Sequence, residues 1–222
     1  MILTIDNILT AEELKQLTDT LSQGNFVDGQ TTAGWHAKLV KQNRQLDSTS
    51  PDIKPLEALV INALQRNLLF KLAINPKHIH SLRFSRYEAN MHYGSHTDNA
   101  VMGGKQFFRS DVSFTLFLSS PESYEGGELI IEKPEGDLSY KLNAGSIIFY
   151  PSTFLHRVET VKTGTRLVVV GWIQSLIRDT AKREILFDID TVRRSIFAKE
   201  GKSVEFDLLA KTHANLLRQW VE

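Results

Sequence analysis

The 222-residue chain contains no cysteine, and this absence excludes disulfide bonds and thiolate metal sites. Any bound metal must therefore be held by histidine, aspartate or glutamate. The lack of cysteine is also compatible with a reducing cytoplasm. No excess of one charge is present either, because 26 basic residues balance 26 acidic residues. Without a block of like charges, the sequence offers no electrostatic surface for nucleic acid or for an anionic membrane.

Long apolar runs are missing as well. The longest uncharged, apolar-rich stretch lies between Arg166 and Arg178, well short of the roughly 18 residues needed to cross a bilayer. The N-terminus lacks the basic segment and apolar run that mark a secretory signal peptide. We therefore expect a soluble, cytoplasmic protein without a membrane partner. Hydrophobic residues make up 41% of the chain, which favours a folded core over disorder.

The hydrophobic pattern places helices before a β-rich centre. Thr10 and Glu13 match a capping box that begins a helix near residue 11, and a second helical pattern runs from Ile53 to about Phe70. Short segments rich in β-branched and aromatic residues then predict strands at 80–88, 111–119, 128–132, 138–141, 146–150, 156–161 and 166–174. Many short strands without intervening helices favour a sandwich, barrel or jelly roll over a doubly wound sheet.

After Arg178 the pattern becomes helical again. One apolar stripe continues to Gly201 and a second reaches Trp220, which predicts two amphipathic helices in succession. Such a helical hairpin would pack on the sheet or on another subunit, and in the second case it would support a homodimer. The sequence therefore predicts a domain at 1–178, with its β core at about 78–178, and a C-terminal helical extension at 179–222.

The tripeptide His96-Thr97-Asp98 is the first candidate for chemistry. If this segment is extended, its imidazole and carboxylate point to the same side of the strand. One imidazole and one carboxylate are two of the three ligands in the facial triad that binds non-haem Fe(II) and leaves coordination positions open. Taken alone, however, a tripeptide of this kind is more often a surface feature.

Two later residues extend this pattern. His156 follows a strand and a turn and begins the next extended run, so it is the natural third ligand, although a lone histidine there is more often an ordinary turn residue. Arg166 opens a very apolar run, where a buried guanidinium requires an anion. It could capture a ligand carboxylate through two hydrogen bonds, or it could form a structural ion pair with an acidic residue.

An H-x-D, a distal histidine and an arginine ten residues later resemble the Fe(II)/2-oxoglutarate-dependent dioxygenases of the prolyl-4-hydroxylase type. The segments RYEANMHYGSHTDNAVM, RSDVSFTLFLSSPESYEGGEL and GSIIFYPSTFLHRVETVKTGTRLVVVGWIQS are similar to the bacterial PKHD-type hydroxylases. The lead-in DGQTTAGWHAKLVKQNRQL and the helical C-terminus are similar too, so the resemblance covers nearly the whole chain. It implies a mainly β protein with flanking helices around a double-stranded β-helix, a jelly roll, which agrees with the strand pattern.

The resemblance also implies a role for individual residues. His96, Asp98 and His156 would ligate Fe(II), Arg166 would bind the distal carboxylate of 2-oxoglutarate, and Tyr87 would line the cosubstrate pocket. The implied reaction consumes O₂ and 2-oxoglutarate, releases succinate and CO₂, and hydroxylates an unactivated C–H bond, with ascorbate as a supporting reductant. Related halogenases lack the carboxylate ligand, so the presence of Asp98 favours hydroxylation.

The sequence does not specify the substrate. A peptidyl prolyl residue and a small metabolite, including one connected with iron uptake, both agree with the resemblance. The alternative to an enzyme is a non-catalytic jelly-roll module that binds a metal or a ligand, in which Arg166 would serve a structural ion pair. Conversion of 2-oxoglutarate to succinate in the presence of Fe(II) separates the two hypotheses.

Overall fold

In the computed structural model, which describes residues 1–103 and 106–222, antiparallel β-sheets form the centre of the chain and helices flank them. The strands, in chain order, are β1 (Leu3–Ile5), β2 (Phe26–Asp28), β3 (Lys41–Gln42), β4 (Arg44–Leu46), β5 (Pro76–Tyr87), β6 (His92–His96), β7 (Val101–Met102), β8 (Phe108–Arg109), β9 (Val112–Phe117), β10 (Tyr124–Gly126), β11 (Leu129–Ile131), β12 (Leu138–Tyr140), β13 (Ile147–Pro151), β14 (His156–Val158), β15 (Val161–Gly164) and β16 (Arg166–Ser175). The helices are α1 (Ala11–Gln23), α2 (Ile53–Arg66), α3 (Leu68–Ile74), α4 (Thr180–Glu200) and α5 (Val204–Trp220).

Two of the sheets enclose a cavity between them. The larger sheet has seven strands in the order β1-β13-β9-β16-β5-β4-β2, and the smaller has five in the order β12-β11-β14-β6-β3. Two-stranded pairs, β10 with β15 and β7 with β8, complete the strand pairing. Residues of both large sheets line the same cavity. This arrangement confirms the predicted double-stranded β-helix with flanking helices.

Strand β9 shows how the sequence places polar groups inside the molecule. All six of its residues are buried, yet their side chains alternate in character. Val112, Phe114 and Leu116 belong to the apolar core that the larger sheet shares with the N-terminal helices. Ser113 and Thr115 point the other way and line the cavity. The period-two alternation of a strand therefore directs the two hydroxyl side chains to the cavity, while Phe114 belongs to the core and also borders the cavity.

The N-terminal helices follow the sequence pattern with one difference. The capping box at α1 is present, since Thr10 Oγ1 accepts from the Glu13 amide and Glu13 accepts from the Thr10 amide at 2.9 Å. The single helix predicted from Ile53 to about Phe70 is wrong, because α2 ends at Arg66 and α3 begins at Leu68. Asn67 is extended and its side chain accepts from the Phe70 amide at 2.9 Å, which ends one helix and caps the next.

The predicted C-terminal helical hairpin is also present. Asp179 caps α4 by accepting from the amides of Ala181 and Lys182, and Gly201 ends the helix with a φ of 70°. Helix α4 contacts both α3 and α5. Among the described residues, no helix combines the length and apolar character needed to cross a membrane.

Candidate active site

Strand pairing brings the two candidate imidazoles together. Strands β6 and β14 are antiparallel neighbours, and their register sets His96 directly opposite His156. Both side chains are buried, and their ring centroids are 4.3 Å apart. Residues directly opposite each other in an antiparallel pair project to the same face of the sheet, so both rings point into the cavity.

Backbone carbonyls determine which nitrogen of each ring is free. His96 Nδ1 lies 2.8 Å from the Gly94 carbonyl oxygen, and His156 Nδ1 lies 3.1 Å from the Phe154 carbonyl oxygen. A carbonyl can only accept, so each Nδ1 carries the proton and donates it. The lone pair of each ring is then on Nε2, which is the state required of a metal ligand whose orientation is fixed by a second hydrogen bond.

The Asp98 carboxylate is anchored to the opposite sheet. His96 is the last residue of β6, so Asp98 lies just beyond the strand rather than within it. Ser113 Oγ, on β9, donates to Asp98 Oδ2 at 2.6 Å, and Ser152 Oγ lies 2.7 Å from Ser113 Oγ. The same carboxylate oxygen is 3.8 Å from His156 Nε2. The hydrogen bond from Ser113 therefore holds the carboxylate toward the two imidazoles.

The three groups fit a divalent transition metal. One ligand atom from each of His96, Asp98 and His156 lies within 4.8 Å of the other two. Burial, reinforced by the neighbouring His156, lowers the pKa of His96 to about 4. The imidazole is therefore neutral near pH 7, as a metal ligand must be. Two nitrogen donors and one carboxylate oxygen, with the rest of the cavity open, form the donor set of a facial triad that leaves positions for other ligands.

Arg166 lines the same cavity, and none of the described residues supplies an anion to it. Its side chain is 1% exposed, and its Nε and Nη1 atoms have no hydrogen-bond partner in the part of the chain that the structure describes. Within residues 1–103 and 106–222, no carboxylate oxygen lies within 4.0 Å of the guanidinium, so the structural ion pair considered from the sequence is absent. A buried and unpaired guanidinium is costly, and an anionic ligand would remove that cost.

Aromatic rings and a glycine surround this guanidinium. Strand register sets Arg166 opposite Tyr87, and the guanidinium carbon lies 5.0 Å from the Tyr87 ring centre and 5.5 Å from that of Phe117. Gly127 has a φ of 69°, and a Cβ there would lie 3.0 Å from Arg166 Cδ. Burial raises the pKa of Tyr124, against the effect of the Arg166 charge, and the Tyr124 hydroxyl has no hydrogen-bond partner. A neutral phenol is thus available beside the arginine.

One cavity, with a volume of about 110 Å³, is lined by all five residues that were singled out in the sequence. His96 and His156 come from the smaller sheet, Tyr87 and Arg166 from the larger sheet, and Asp98 from the segment after β6. The structure therefore brings the whole candidate set together and leaves none of it elsewhere.

The sequence did not indicate several further cavity residues. Ser113 orients Asp98, and the Tyr93 ring stacks on the His96 ring with centroids 3.6 Å apart. Lys41, Asn43 and Arg83 line the wall as well. Two signals were available: the alternation of hydroxyl and apolar residues in the buried run VSFTLF, and the placement of Tyr93 three residues before His96. The polar run that contains Lys41 and Asn43 carries no comparable signal.

Comparison with known proteins agrees with this geometry. Residues 82–174 match the model of the 2OG-Fe(II) oxygenase superfamily. A PKHD-type hydroxylase of Crocosphaera subtropica is 89% identical over 222 residues, which is 100% of both chains. A second PKHD-type hydroxylase, from Rippkaea orientalis, is 67% identical over 220 residues, which is 99% of both chains.

A similar fold is found among solved structures. A prolyl hydroxylase from Trichoplax adhaerens, solved with a peptide fragment of the hypoxia-inducible factor oxygen degradation domain, aligns with a TM-score of 0.56. The alignment covers 83% of this chain and 86% of that one, at 15% sequence identity. At this identity the likeness concerns the fold.

Proposed function

Because the chain belongs to the PKHD-type hydroxylases of the 2OG-Fe(II) oxygenase superfamily, and is therefore an oxygenase rather than a non-catalytic module, we propose that it hydroxylates an unactivated C–H bond. The reaction consumes O₂ and 2-oxoglutarate and releases succinate and CO₂, with ascorbate as a supporting reductant. The substrate is a small metabolite or a peptidyl prolyl residue. The observation that carries the proposal is the convergence of two imidazoles, one carboxylate and one unpaired guanidinium in a single cavity.

His96, Asp98 and His156 hold the iron in this proposal. Each imidazole presents Nε2 because its Nδ1 donates to a backbone carbonyl, and Asp98 presents an oxygen because Ser113 orients its carboxylate. When bound, the iron supplies the activation of O₂ and the oxidative decarboxylation of 2-oxoglutarate. A single negative charge from Asp98 leaves the dication only partly neutralised, which favours the binding of an anionic cosubstrate beside it.

Arg166 binds the distal carboxylate of 2-oxoglutarate. The planar guanidinium can donate two parallel hydrogen bonds to a carboxylate, and its Nε and Nη1 atoms have no other partner. Tyr87 and Phe117 enclose the guanidinium and exclude water from it, which strengthens its interaction with a bound anion. In this proposal Tyr87 lines the cosubstrate pocket, which is supported by the sheet register that sets it opposite Arg166.

The test is the formation of succinate from 2-oxoglutarate by purified protein with Fe(II), O₂ and ascorbate. We expect slow succinate release without the substrate, and complete loss of it in His96→Ala, Asp98→Ala and His156→Ala. His92→Ala is the matched control, because His92 lies on the same strand but outside the cavity. Full activity in any of the three ligand variants would remove that residue from the ligand set.

The cosubstrate assignment is tested separately. Arg166→Met should raise the 2-oxoglutarate concentration needed for half-maximal succinate release by at least tenfold, because it removes a charge-assisted bidentate contact. Arg178→Met is the control, since Arg178 is exposed and outside the cavity. An unchanged 2-oxoglutarate dependence in Arg166→Met would mean that another residue anchors the cosubstrate. Substrates are identified by a mass gain of one oxygen atom with matching succinate release.

A further inference from the structure

A second pair of cations lines the cavity away from Arg166. Lys41, on β3, and Arg83, on β5, both contribute side chains to its wall. Arg83 pairs with Val170 while Tyr87 pairs with Arg166, four residues further along the same two strands. Four residues of β-strand correspond to about 13 Å, so Arg83 and Arg166 mark two separate positions in the cavity wall.

Lys41 is buried to a degree that is unusual for a lysine. The residue is only 4% exposed, and its ammonium group donates one hydrogen bond, to Thr32 Oγ1 at 3.0 Å. Its nitrogen lies 5.2 Å from the centre of the Tyr93 ring, the ring that stacks on His96. An ammonium has three donors, so two remain for a ligand. Lysine is almost never fully buried without a partner.

Among the described residues, neither cation forms an ion pair, although Glu57 on α2 is the acidic residue whose charge acts on Arg83. Over the part of the chain that the structure describes, no carboxylate oxygen lies within 4.0 Å of Lys41 or Arg83. Asp98 is the sole carboxylate among the described residues that line the cavity. Burial and the nearby charge of Arg83 lower the pKa of Lys41 to about 8, against the more distant charges of Asp98 and Asp28, so the ammonium is still largely charged near pH 7.

The charges of the filled site would remain unbalanced without a further anion. Three cationic side chains, Lys41, Arg83 and Arg166, face one carboxylate, Asp98, in the cavity wall. The charges of Fe(II) and of the 2-oxoglutarate dianion cancel each other. Among the side chains that line the cavity, positive charges therefore exceed negative charges by two once both are bound, and Glu57 and Asp28, which do not line the cavity, offset this excess in part from a distance greater than 4.0 Å. The Lys41 and Arg83 end of the cavity is where this excess lies.

A polar side chain on the same wall also lacks a partner. Asn43 is 4% exposed, and neither its amide nitrogen nor its amide oxygen has a hydrogen-bond partner. It lies on the cavity wall two residues after Lys41. A buried amide without partners costs free energy, and a polar ligand that fills the cavity removes that cost. Because Asn43 lies next to Tyr87, this observation indicates a polar ligand in the cavity without assigning that ligand to the Lys41 and Arg83 end.

We propose that Lys41 and Arg83 form a second anion subsite, and that the substrate of this hydroxylase is an acid that presents a carboxylate to them. The inference rests on the proposed function, because it assigns Arg166 to 2-oxoglutarate and the remaining cations to the substrate. The substrate carboxylate would pair with the two cations. The reacting carbon would then be held at a fixed distance from the metal centre.

The subsite is tested with acetate, which carries a carboxylate and is larger than formate by only one methyl group. The full-length protein is loaded anaerobically with Fe(II) and saturating 2-oxoglutarate, so that Arg166 is occupied. Its melting temperature is then followed against acetate, with chloride at equal ionic strength and neutral acetamide as references. We expect acetate alone to stabilise the wild-type protein in a saturable manner. Equal effects of acetate and chloride, or of acetate and acetamide, would overturn the proposal.

Variants locate the acetate effect. Lys41→Met and Arg83→Met should each weaken the apparent acetate affinity at least tenfold, whereas Lys41→Arg should retain much of it. Lys71→Met is the matched control, because Lys71 is exposed and outside the cavity. An acetate response that survives in both methionine variants would show that acetate binds elsewhere, the metal included, and would refute the subsite. If one of the two methionine variants does not fold, the other variant still tests the subsite, together with the comparison of acetate, chloride and acetamide on the wild-type protein.

The proposal and the proposed function can fail independently. Stabilisation by 2-oxoglutarate and its loss in Arg166→Met report on the cosubstrate site alone, and the exposed control Lys71→Met should leave this stabilisation unchanged. In turnover, acids should stimulate succinate release and their amides should not. The carboxylate could belong to a small metabolite or to the end of a peptide. Comparing succinate release with a free acid and with the same acid at the end of a peptide separates these two sources. Equal stimulation by acids and amides would overturn the proposal.

Discussion

The hydroxyl of Ser113 is expected to control metal affinity although it is not a ligand. Ser113 Oγ donates to Asp98 Oδ2 at 2.6 Å, and it is buried on the strand opposite the two histidines. Ser113→Ala removes this hydrogen bond and leaves the volume almost unchanged. The carboxylate would then lose the contact that turns it toward His96 and His156.

The size of the effect follows from the type of bond. Hydrogen bonds to charged groups contribute about 1.5–3 kcal/mol, and about 1.4 kcal/mol corresponds to a tenfold change in an equilibrium constant. Loss of the bond should therefore weaken metal binding roughly 10- to 100-fold, the range found when residues that orient metal ligands are replaced. Anaerobic titration with Co(II), followed by its visible absorption, measures the affinity without turnover.

Ser146→Ala provides the matched control. Ser146 is equally buried, but its hydroxyl has no hydrogen-bond partner and it does not line the cavity. The Co(II) affinity of this variant should equal that of the wild-type protein. If Ser113→Ala folded normally and also bound Co(II) with unchanged affinity, the hydrogen bond from Ser113 to Asp98 would not control metal affinity. That result would refute the prediction.

Two further predictions concern stability and pH. Gly127→Ala should lower the melting temperature and raise the 2-oxoglutarate concentration needed for half-maximal activity. The reason is that the backbone φ is 69° and the new Cβ would lie 3.0 Å from Arg166 Cδ. If neither the melting temperature nor this concentration changed, the close packing around Arg166 would be contradicted. Burial raises the pKa of Asp190, but the hydrogen bonds and charges of Arg194 and Arg193 outweigh it and hold the pKa below its usual value. This carboxylate therefore stabilises the fold above its unfolded pKa of about 3.9 and loses that effect as the pH falls through the lower folded pKa. Asp190→Asn should lower the free energy of unfolding, measured with urea near pH 7, by about 1–3 kcal/mol. The difference in unfolding free energy between the variant and the wild-type protein should shrink below about pH 4. A difference that stayed constant with pH would contradict the ion pairs.

The sequence predicted the fold well because the relevant signals are local. The capping box at Thr10, the alternating strands and the two C-terminal amphipathic stripes are each encoded within a few turns or one strand. The break at Asn67 was missed because an apolar helical pattern continues through it. A single side-chain hydrogen bond to the Phe70 amide decides that boundary, and hydrophobic periodicity does not contain this information.

Some residues of the candidate site could likewise be predicted from the sequence, and others could not. His96, Asp98, His156 and Arg166 could be predicted as candidates from the sequence because their residue types and order match a known metal and carboxylate chemistry, and all four line one cavity. The hydrogen bond from Ser113 to Asp98 joins residues fifteen apart in the chain and depends on how the two large sheets face each other, which no local pattern reports.

The burial of Lys41 could not be read from its neighbours either. Lys41 lies in a two-residue strand within a polar segment, where a lysine is ordinarily exposed. It is buried because β3 pairs with β6 at the edge of the smaller sheet and so covers the cavity.

The most direct test of the central claim is an anaerobic optical titration of the protein with Fe(II) and 2-oxoglutarate. Chelation of the metal by the 2-oxo acid produces a visible charge-transfer band. The account predicts that the band saturates at one Fe(II) per chain, requires 2-oxoglutarate, and disappears in His156→Ala. A wild-type protein that shows no band, or a His156→Ala variant that retains it in full, would contradict the assignment of this cavity as the iron and cosubstrate site.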